Sequence, residues 1–249
     1  MTNRFADKVV VVTGGTTGIG YASVEKFAAE GAKVVATGTN PETLSKARES
    51  LGSDAVEFVS SDAADPASVE QLFEQVNQKY GRVDTLFLNA GIVALAPLAE
   101  ADEKQYDDLF TINVKGPWLA IKNATPLLTK GASIIATTSV VNQRPFEGAG
   151  LYSATKAGLR GLLRSASVEL ASQAVRVNAI APGPIDTPIL GKMVGAEALD
   201  ETKTNLASLT TLGRIGTSAE VADAVTFLAS DEASYINGVE LNVDGGFVF

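Results

Sequence analysis

The sequence predicts an α/β fold, a doubly wound parallel sheet with helices on both faces. Short β-branched runs alternate with helix-like stretches along the whole chain. Each run is apolar through its length, as strands buried on both faces are. No internal repeat, low-complexity tract or Pro/Ser-rich linker interrupts the alternation, and 249 residues at 45% hydrophobic content can bury one sizeable core. Residues 1–249 are therefore expected to form a single domain.

Val9–Val12, four valines, is the first predicted strand; it runs into a glycine-rich turn and a helix over 18–30. Lys33–Thr37 and Val56–Ser60 follow as strands on either side of a helix over 41–51. Helices over 66–80, 103–128, 150–172 and 218–229 then lead to strands Asp84–Leu88, Ser133–Thr137, Arg176–Ile180 and Val239–Val243. Such repeated strand–helix units imply right-handed crossovers. The weakest patterning lies in 186–211, where Gly191, Gly195 and scattered charges interrupt the apolar spacing. That segment reads as a lid over a site.

Composition narrows the chemistry. A net charge of −9 without a run of Lys or Arg argues against nucleic acid or an anionic membrane surface as partner. No window approaches the roughly 18 apolar residues of a membrane span, and no cleavage-like segment follows Met1, so a cytoplasmic protein is expected. There is no Cys and no His. Thiolate or imidazole metal sites, disulfides and Ser-His-Asp catalysis are thereby excluded, and no metal is expected. Acid–base chemistry near neutral pH falls to a carboxylate, or to a Tyr or Lys of displaced pKa.

Gly14, Gly18 and Gly20 stand in a G-x-x-x-G-x-G turn between the first strand and its helix. Small residues there let backbone N–H groups approach a pyrophosphate at the positive end of a helix. The same glycines would also serve a tight turn with close helix–sheet packing. Tyr152 and Lys156 lie four apart and share one helix face. An ammonium beside a phenol favours phenolate and is expected to lower the Tyr152 pKa; alternatively, the pair is a packing Tyr and a solvated Lys. Ser139 follows a strand at its carboxyl end, where open α/β sheets place their ligands, although a lone Ser there also suits a turn. Pro117 has no N–H, so the carbonyl of Asn113 loses its helical partner and could hold a water, or simply mark a kink.

Taken together, Thr13-Gly-Gly-Thr-Thr-Gly-Ile-Gly20, Asn89-Ala90-Gly91, Asn113, Ser139, Tyr152-x-x-x-Lys156 and Pro182-Gly183-Pro184-Ile185-Asp186-Thr187 resemble, in order, the motifs of the short-chain dehydrogenase/reductase family. The resemblance covers nearly the whole chain, and the thirteen-residue spacing from Ser139 to Tyr152 is typical of the family. It implies a Rossmann-type, seven-stranded parallel sheet and an NAD(P)-dependent oxidoreductase. It also implies a catalytic tetrad: Tyr152 as acid/base, Ser139 steadying the carbonyl oxygen, Lys156 on the nicotinamide ribose, and Asn113 holding a relay water. Cofactor contacts implied in the same way are Gly14, Thr16, Thr17, Gly18, Ile19 and Gly20 in the turn, then Gly38, Thr39 and Asn40. Asp62 and Ala63 would meet the adenine, and Asn89, Ala90 and Gly91 would border the adenosine side and the ribose. Pro182, Gly183, Ile185 and Thr187, the last two at the carboxamide, complete the set with Tyr152 and Lys156.

Two departures from the family pattern stand out. Leu88 replaces a second Asn, so the Asn89 turn is expected to be held differently. At Gly38-Thr39-Asn40 there is neither an acidic residue to accept the ribose hydroxyls nor an Arg to pair with a 2′-phosphate. NADP(H) is thus not repelled and NAD(H) not specifically held; the surrounding sequence leans slightly to NADP(H).

By analogy Val93, Leu95, Val141, Gln143, Phe146, Ile189, Met193 and Leu206 line a substrate pocket, although apolar residues are core by default. Their character implies an uncharged, moderately apolar ketone or secondary alcohol as the small-molecule partner. Helices 103–128 and 150–172 and the C-terminal strand, with Phe247 and Phe249 beyond it, resemble family elements that assemble a homotetramer. Two rival readings remain: a non-catalytic dinucleotide sensor, which would not need Tyr152, and a nucleotide-sugar epimerase, whose C-terminal substrate region is expected to be longer.

Overall fold

Val9 and Val11 pack on one face of a sheet, while Val10 and Val12 pack on the other. All four are buried, so this strand lies between two apolar layers. The same alternation sends Ile134 to one layer and Ile135 to the other, and Leu86 and Leu88 away from Phe87. The computed structural model in which this is seen describes residues 3–248, so Met1, Thr2 and the predicted assembly residue Phe249 lie outside the described residues.

The chain runs β1 (Val9–Thr13), α1 (Gly18–Ala29), β2 (Lys33–Gly38), α2 (Pro41–Leu51), β3 (Val56–Ser60), α3 (Pro66–Tyr80) and β4 (Val83–Leu88). It continues with α4 (Glu103–Phe110), α5 (Gly116–Ala124), β5 (Leu128–Thr137), α6 (Gly150–Glu169) and β6 (Arg176–Pro182). The last part is β7 (Ile185–Asp186), α7 (Pro188–Val194), α8 (Leu199–Ser208), β8 (Gly216–Thr217), α9 (Ser218–Ala229) and β9 (Glu240–Val243). Seven parallel strands form one sheet in the order β3-β2-β1-β4-β5-β6-β9. The strand order reverses between β1 and β4, and the crevice where their carboxyl ends part is where such sheets bind ligands. Among the described residues no helix is long and apolar enough to cross a membrane.

Local chemistry explains the helix boundaries. Asn40, Asp65 and Asp102 accept N–H groups of the first turns of α2, α3 and α4, and Thr217 and Glu220 form a reciprocal capping box on α9. Gly52 and Gly81 end α2 and α3 in the left-handed conformation.

Four expectations are corrected. The helix predicted over 103–128 is instead α4, a π-helical turn over Thr111–Lys115, α5 and a 3₁₀ turn over Thr125–Leu127. The Gly116 N–H reaches back to the Thr111 carbonyl, five residues away. The widened turn falls directly before Pro117, which supplies no donor. Strand β5 begins at Leu128, ahead of the predicted Ser133, because Leu128 pairs with Val83 before an irregularity in register. Helix α6 stops at Glu169 and a 3₁₀ turn follows, ended by Ala174 at φ 56°. Finally, burial on both faces fails at the edges: β9 is only half-buried and β3 alternates, because an edge strand lacks a neighbour on one side. The lid segment 186–211 holds two helices, α7 and α8, whose periodicity is broken in sequence by Gly195 at φ 78°. The pair β7–β8 ties the two ends of that segment together.

Candidate active site

The glycine turn lies at the carboxyl end of β1. Gly14 and Gly18 take φ of 64° and 54°, and a Cβ on Gly20 would stand 2.0 Å from the Gly14 carbonyl oxygen. Only glycine permits that approach. Thr17 precedes α1 without capping it through its side chain, and the first turn holds no acidic residue. The N–H groups of that turn are left without a side-chain acceptor, which fits a pyrophosphate.

Asn89, at the end of β4, anchors the other wall. Its amide Nδ2 donates to the Gly14 carbonyl (3.0 Å), and its Oδ1 accepts from the Thr137 hydroxyl (3.2 Å). Thr13 Oγ1 accepts the backbone N–H groups of Asn89 (3.0 Å) and Ala90 (3.2 Å). Thr13 and Thr137 thus hold the turn where a second Asn is missing, while Leu88 is buried in the core. Sequence reasoning assigned neither threonine a role; their positions at the ends of β1 and β5 were the available signal.

The four tetrad candidates converge at the ends of β4 and β5. Ser139 follows β5 and begins a 3₁₀ turn over Val140–Asn142, its Oγ accepting the Val141 N–H at 3.3 Å. Ser139 stands near enough to the Tyr152 phenol to favour its ionised form. Tyr152 and Lys156 sit on the first turns of α6, with the Lys156 Nζ 5.7 Å from the centre of the Tyr152 ring. That ammonium is buried and donates to the Thr137 carbonyl at 2.9 Å. Asn113, fully buried in the π-helical turn, exchanges two 2.9 Å hydrogen bonds with the backbone of Ile92 and donates to Thr155 Oγ1 at 3.1 Å. Gly91 faces both groups: a Cβ there would lie 3.1 Å from Asn113 Oδ1 and 3.4 Å from Lys156 Nζ.

A family model described as enoyl-(acyl carrier protein) reductase matches residues 14–248. The chain belongs to the short-chain dehydrogenase/reductase family. An NADP-dependent (R)-specific alcohol dehydrogenase of Lentilactobacillus kefiri is 36% identical over 253 residues, covering 99% of each chain. A 3-oxoacyl-[acyl-carrier-protein] reductase of Thermotoga maritima is 37% identical over 250 residues, covering 98% of this chain and 99% of the relative. Among solved structures, a blue fluorescent protein from a metagenomic library, in complex with NADPH, superposes with a TM-score of 0.91 at 32% identity, covering 99% of this chain and all of the other. As a short-chain dehydrogenase/reductase, this chain is an oxidoreductase acting between CH–OH and carbonyl groups.

The electrostatics of this dehydrogenase/reductase site correct one expectation. Burial pushes the Tyr152 phenol up to about 12, opposed only in part by the Ser139 side chain. The phenol therefore goes up on balance, not down as predicted, and burial likewise pushes the Lys156 ammonium down to about 8. Both shifts come from loss of water, which disfavours each charged form.

The remaining cofactor candidates divide by position. A Cβ on Gly38 would meet the Thr16 methyl at 2.7 Å. Thr16 Oγ1 accepts from the Thr43 hydroxyl at 3.1 Å. Thr39 is exposed, and the Asn40 Oδ1 is committed to capping α2. Asp62 is exposed, its Oδ1 taken by the Ala64 N–H, and Ala63 packs on Gly116, where a Cβ would stand 2.8 Å from its carbonyl oxygen. Gly18 lies within van der Waals reach of Thr187, at 3.6 Å for an added Cβ, while Ile185 is buried. Pro182 ends β6, and Gly183 sits so close to Asp244 that an added Cβ would fall 2.6 Å from the Asp244 Cβ.

On the substrate side Leu95, Phe146, Ile189 and Met193 are exposed large apolar side chains, and Val93 and Leu206 are half-buried. Two pocket candidates turn elsewhere. Val141 is buried, and the Gln143 amide is paired with Asn242 at 2.9 and 3.2 Å on β9.

Proposed function

We propose that this chain is an NADP(H)-preferring ketoreductase and alcohol dehydrogenase for uncharged, moderately apolar ketones and secondary alcohols, with Tyr152 as general acid/base. The observation that carries the reading is the meeting of Ser139, Tyr152 and Lys156 at the carboxyl end of β5, beside the uncapped glycine turn. Bound nicotinamide supplies the hydride. In reduction Tyr152 Oη gives its proton to the carbonyl oxygen as the hydride reaches the carbon, and Ser139 Oγ donates to the same oxygen. With its pKa pushed up to about 12, Tyr152 holds that proton ready at neutral pH. Lys156 keeps two donors beyond the one given to Thr137, which suit ribose hydroxyls, and its charge steadies the phenolate left behind. Asn113 acts by holding Ile92 and Thr155, and so the wall formed by Gly91.

NADP(H) preference is supported by the absence of a carboxylate at Gly38 and by the Thr16 methyl that obstructs one. The nearby carboxylate of Glu42 is turned to Lys46 at 2.6 Å. The NADP dependence of the Lentilactobacillus relative and the NADPH of the solved neighbour agree. Steady-state kinetics with both reduced cofactors on a panel of ketones and keto acids tests the reading. We expect a lower KM for NADPH and turnover of uncharged ketones; a KM for NADH well below that for NADPH, or activity confined to charged keto acids, would refute it. Thr39→Asp, at the exposed position beside Gly38, is expected to raise the KM for NADPH by about tenfold or more, a loss of about 1.4 kcal/mol through repulsion of the 2′-phosphate.

We also propose a homotetramer and a cytoplasmic location. Exposed Tyr106 and Trp118 on α4 and α5, and exposed Val168 on α6, support the assembly; the acidic, cysteine-free composition supports the location. Light scattering at micromolar concentration should return four times the chain mass, and a monomer would overturn the assembly.

A further inference from the structure

Glu240 opens the edge strand β9, yet its side chain is only 4% exposed. A carboxylate withdrawn from water needs compensating donors. Asn142 Nδ2 donates to one oxygen at 2.9 Å, Gln143 Nε2 donates to the other at 3.2 Å, and Arg160 Nε lies 3.1 Å from that second oxygen as an ion pair. These partners belong to the two elements that carry the reaction. Asn142 and Gln143 close the turn that Ser139 begins, the Asn142 N–H donating to the Ser139 carbonyl at 3.2 Å. Arg160 is one helical turn beyond Lys156 on α6 and shares its face.

We infer that Glu240 is a positioning residue, a buried carboxylate that fixes the Ser139 turn against the Tyr152/Lys156 helix without touching substrate or cofactor. The inference rests on the acid/base reading above. Its physical basis is that a proton donor and its hydrogen-bonding partner on separate elements must be held to a fraction of an ångström. A direct tie between them runs from Ser153 Oγ to the Val141 carbonyl at 3.0 Å. Glu240 supplies another, at the far end of the turn.

Glu240→Gln is the test, because the amide turns one acceptor into a donor that faces other donors. We expect kcat to fall by about tenfold, with the KM for ketone and the Kd for NADPH, read by nicotinamide fluorescence, unchanged within about twofold. Asn142→Ala should reproduce the loss, and the double variant should be no worse than either single one, since both break the same tie. A kcat near the parent's, a loss appearing instead in KM or cofactor Kd, or losses that multiply would each overturn the inference. Where Glu240→Gln does not fold, Asn142→Ala decides by the same readouts, because it leaves the Glu240–Arg160 pair in place. Tyr152→Phe in parallel separates the two claims: if it stays active the acid/base reading fails, whereas if it is inactive and Glu240→Gln is not impaired, only the positioning role fails.

Discussion

Tyr152→Phe is expected to reduce turnover by about 10³-fold, within the range a general acid/base contributes, while cofactor affinity stays within about twofold. The substitution removes one oxygen. The ring remains in its place on α6, with Lys156 still 5.7 Å from its centre and still bound to the Thr137 carbonyl. What is lost is the proton and the partner of Ser139. Stopped turnover with intact binding of NADPH, measured by nicotinamide fluorescence, therefore isolates the proton transfer; unchanged turnover would remove Tyr152 from the mechanism. The pH dependence follows from the same group. With the phenol pushed up to about 12, reduction should not lose its proton donor across neutral pH, whereas alcohol oxidation, which needs the phenolate, should rise with pH.

Lys156→Met is expected to lower turnover by about 10²-fold or more and yet to stabilise the protein at neutral pH. The ammonium falls from 10.5 to about 8 because it is buried, which corresponds to a cost of about 3 kcal/mol for keeping it charged inside the fold. The lost hydrogen bond to Thr137 takes back about 1 kcal/mol. A net gain of about 2 kcal/mol, roughly 5 °C in melting temperature, is expected at pH 7. The sign can be read from proton binding. Between about pH 8 and 10.5 the unfolded chain carries a proton on this amine that the folded chain does not, so parental stability rises with pH in that window; below about 8 both states carry it and the cost is at its full value. The advantage of the Met variant should accordingly shrink from pH 7 to pH 10. A lower melting temperature than the parent's at pH 7, or retained turnover, would contradict the assignment.

Stability and chemistry are thus opposed at one residue, and the opposition bears on how the site works. A cation kept in a dry position is costly to hold and correspondingly effective on a phenolate nearby, because little solvent screens it. Glu240 shows the same pattern one helical turn further along α6, with a charge withdrawn from water and matched by partners from the elements around the site.

The sequence by itself determined whatever depends on neighbours in the chain. Apolar runs such as Val9–Val12 and Asp84–Leu88 could only be strands of a covered sheet, and their bounds agree closely with β1 and β4. The glycine turn and the Tyr152–Lys156 spacing were likewise legible, since positive φ and a shared helix face are short-range consequences of residue type and separation. Pro117 showed that a donor is missing, but not that a π-helical turn absorbs it and buries Asn113 against Ile92. Only the tertiary structure brought Thr13 and Thr137 onto Asn89, and Glu240 onto Asn142 and Arg160. It alone also decided that the Tyr152 pKa goes up and not down. The reason is physical: a pKa and a hydrogen-bond partner are set by what packs around a group and excludes water from it, and those atoms come from residues far away along the chain.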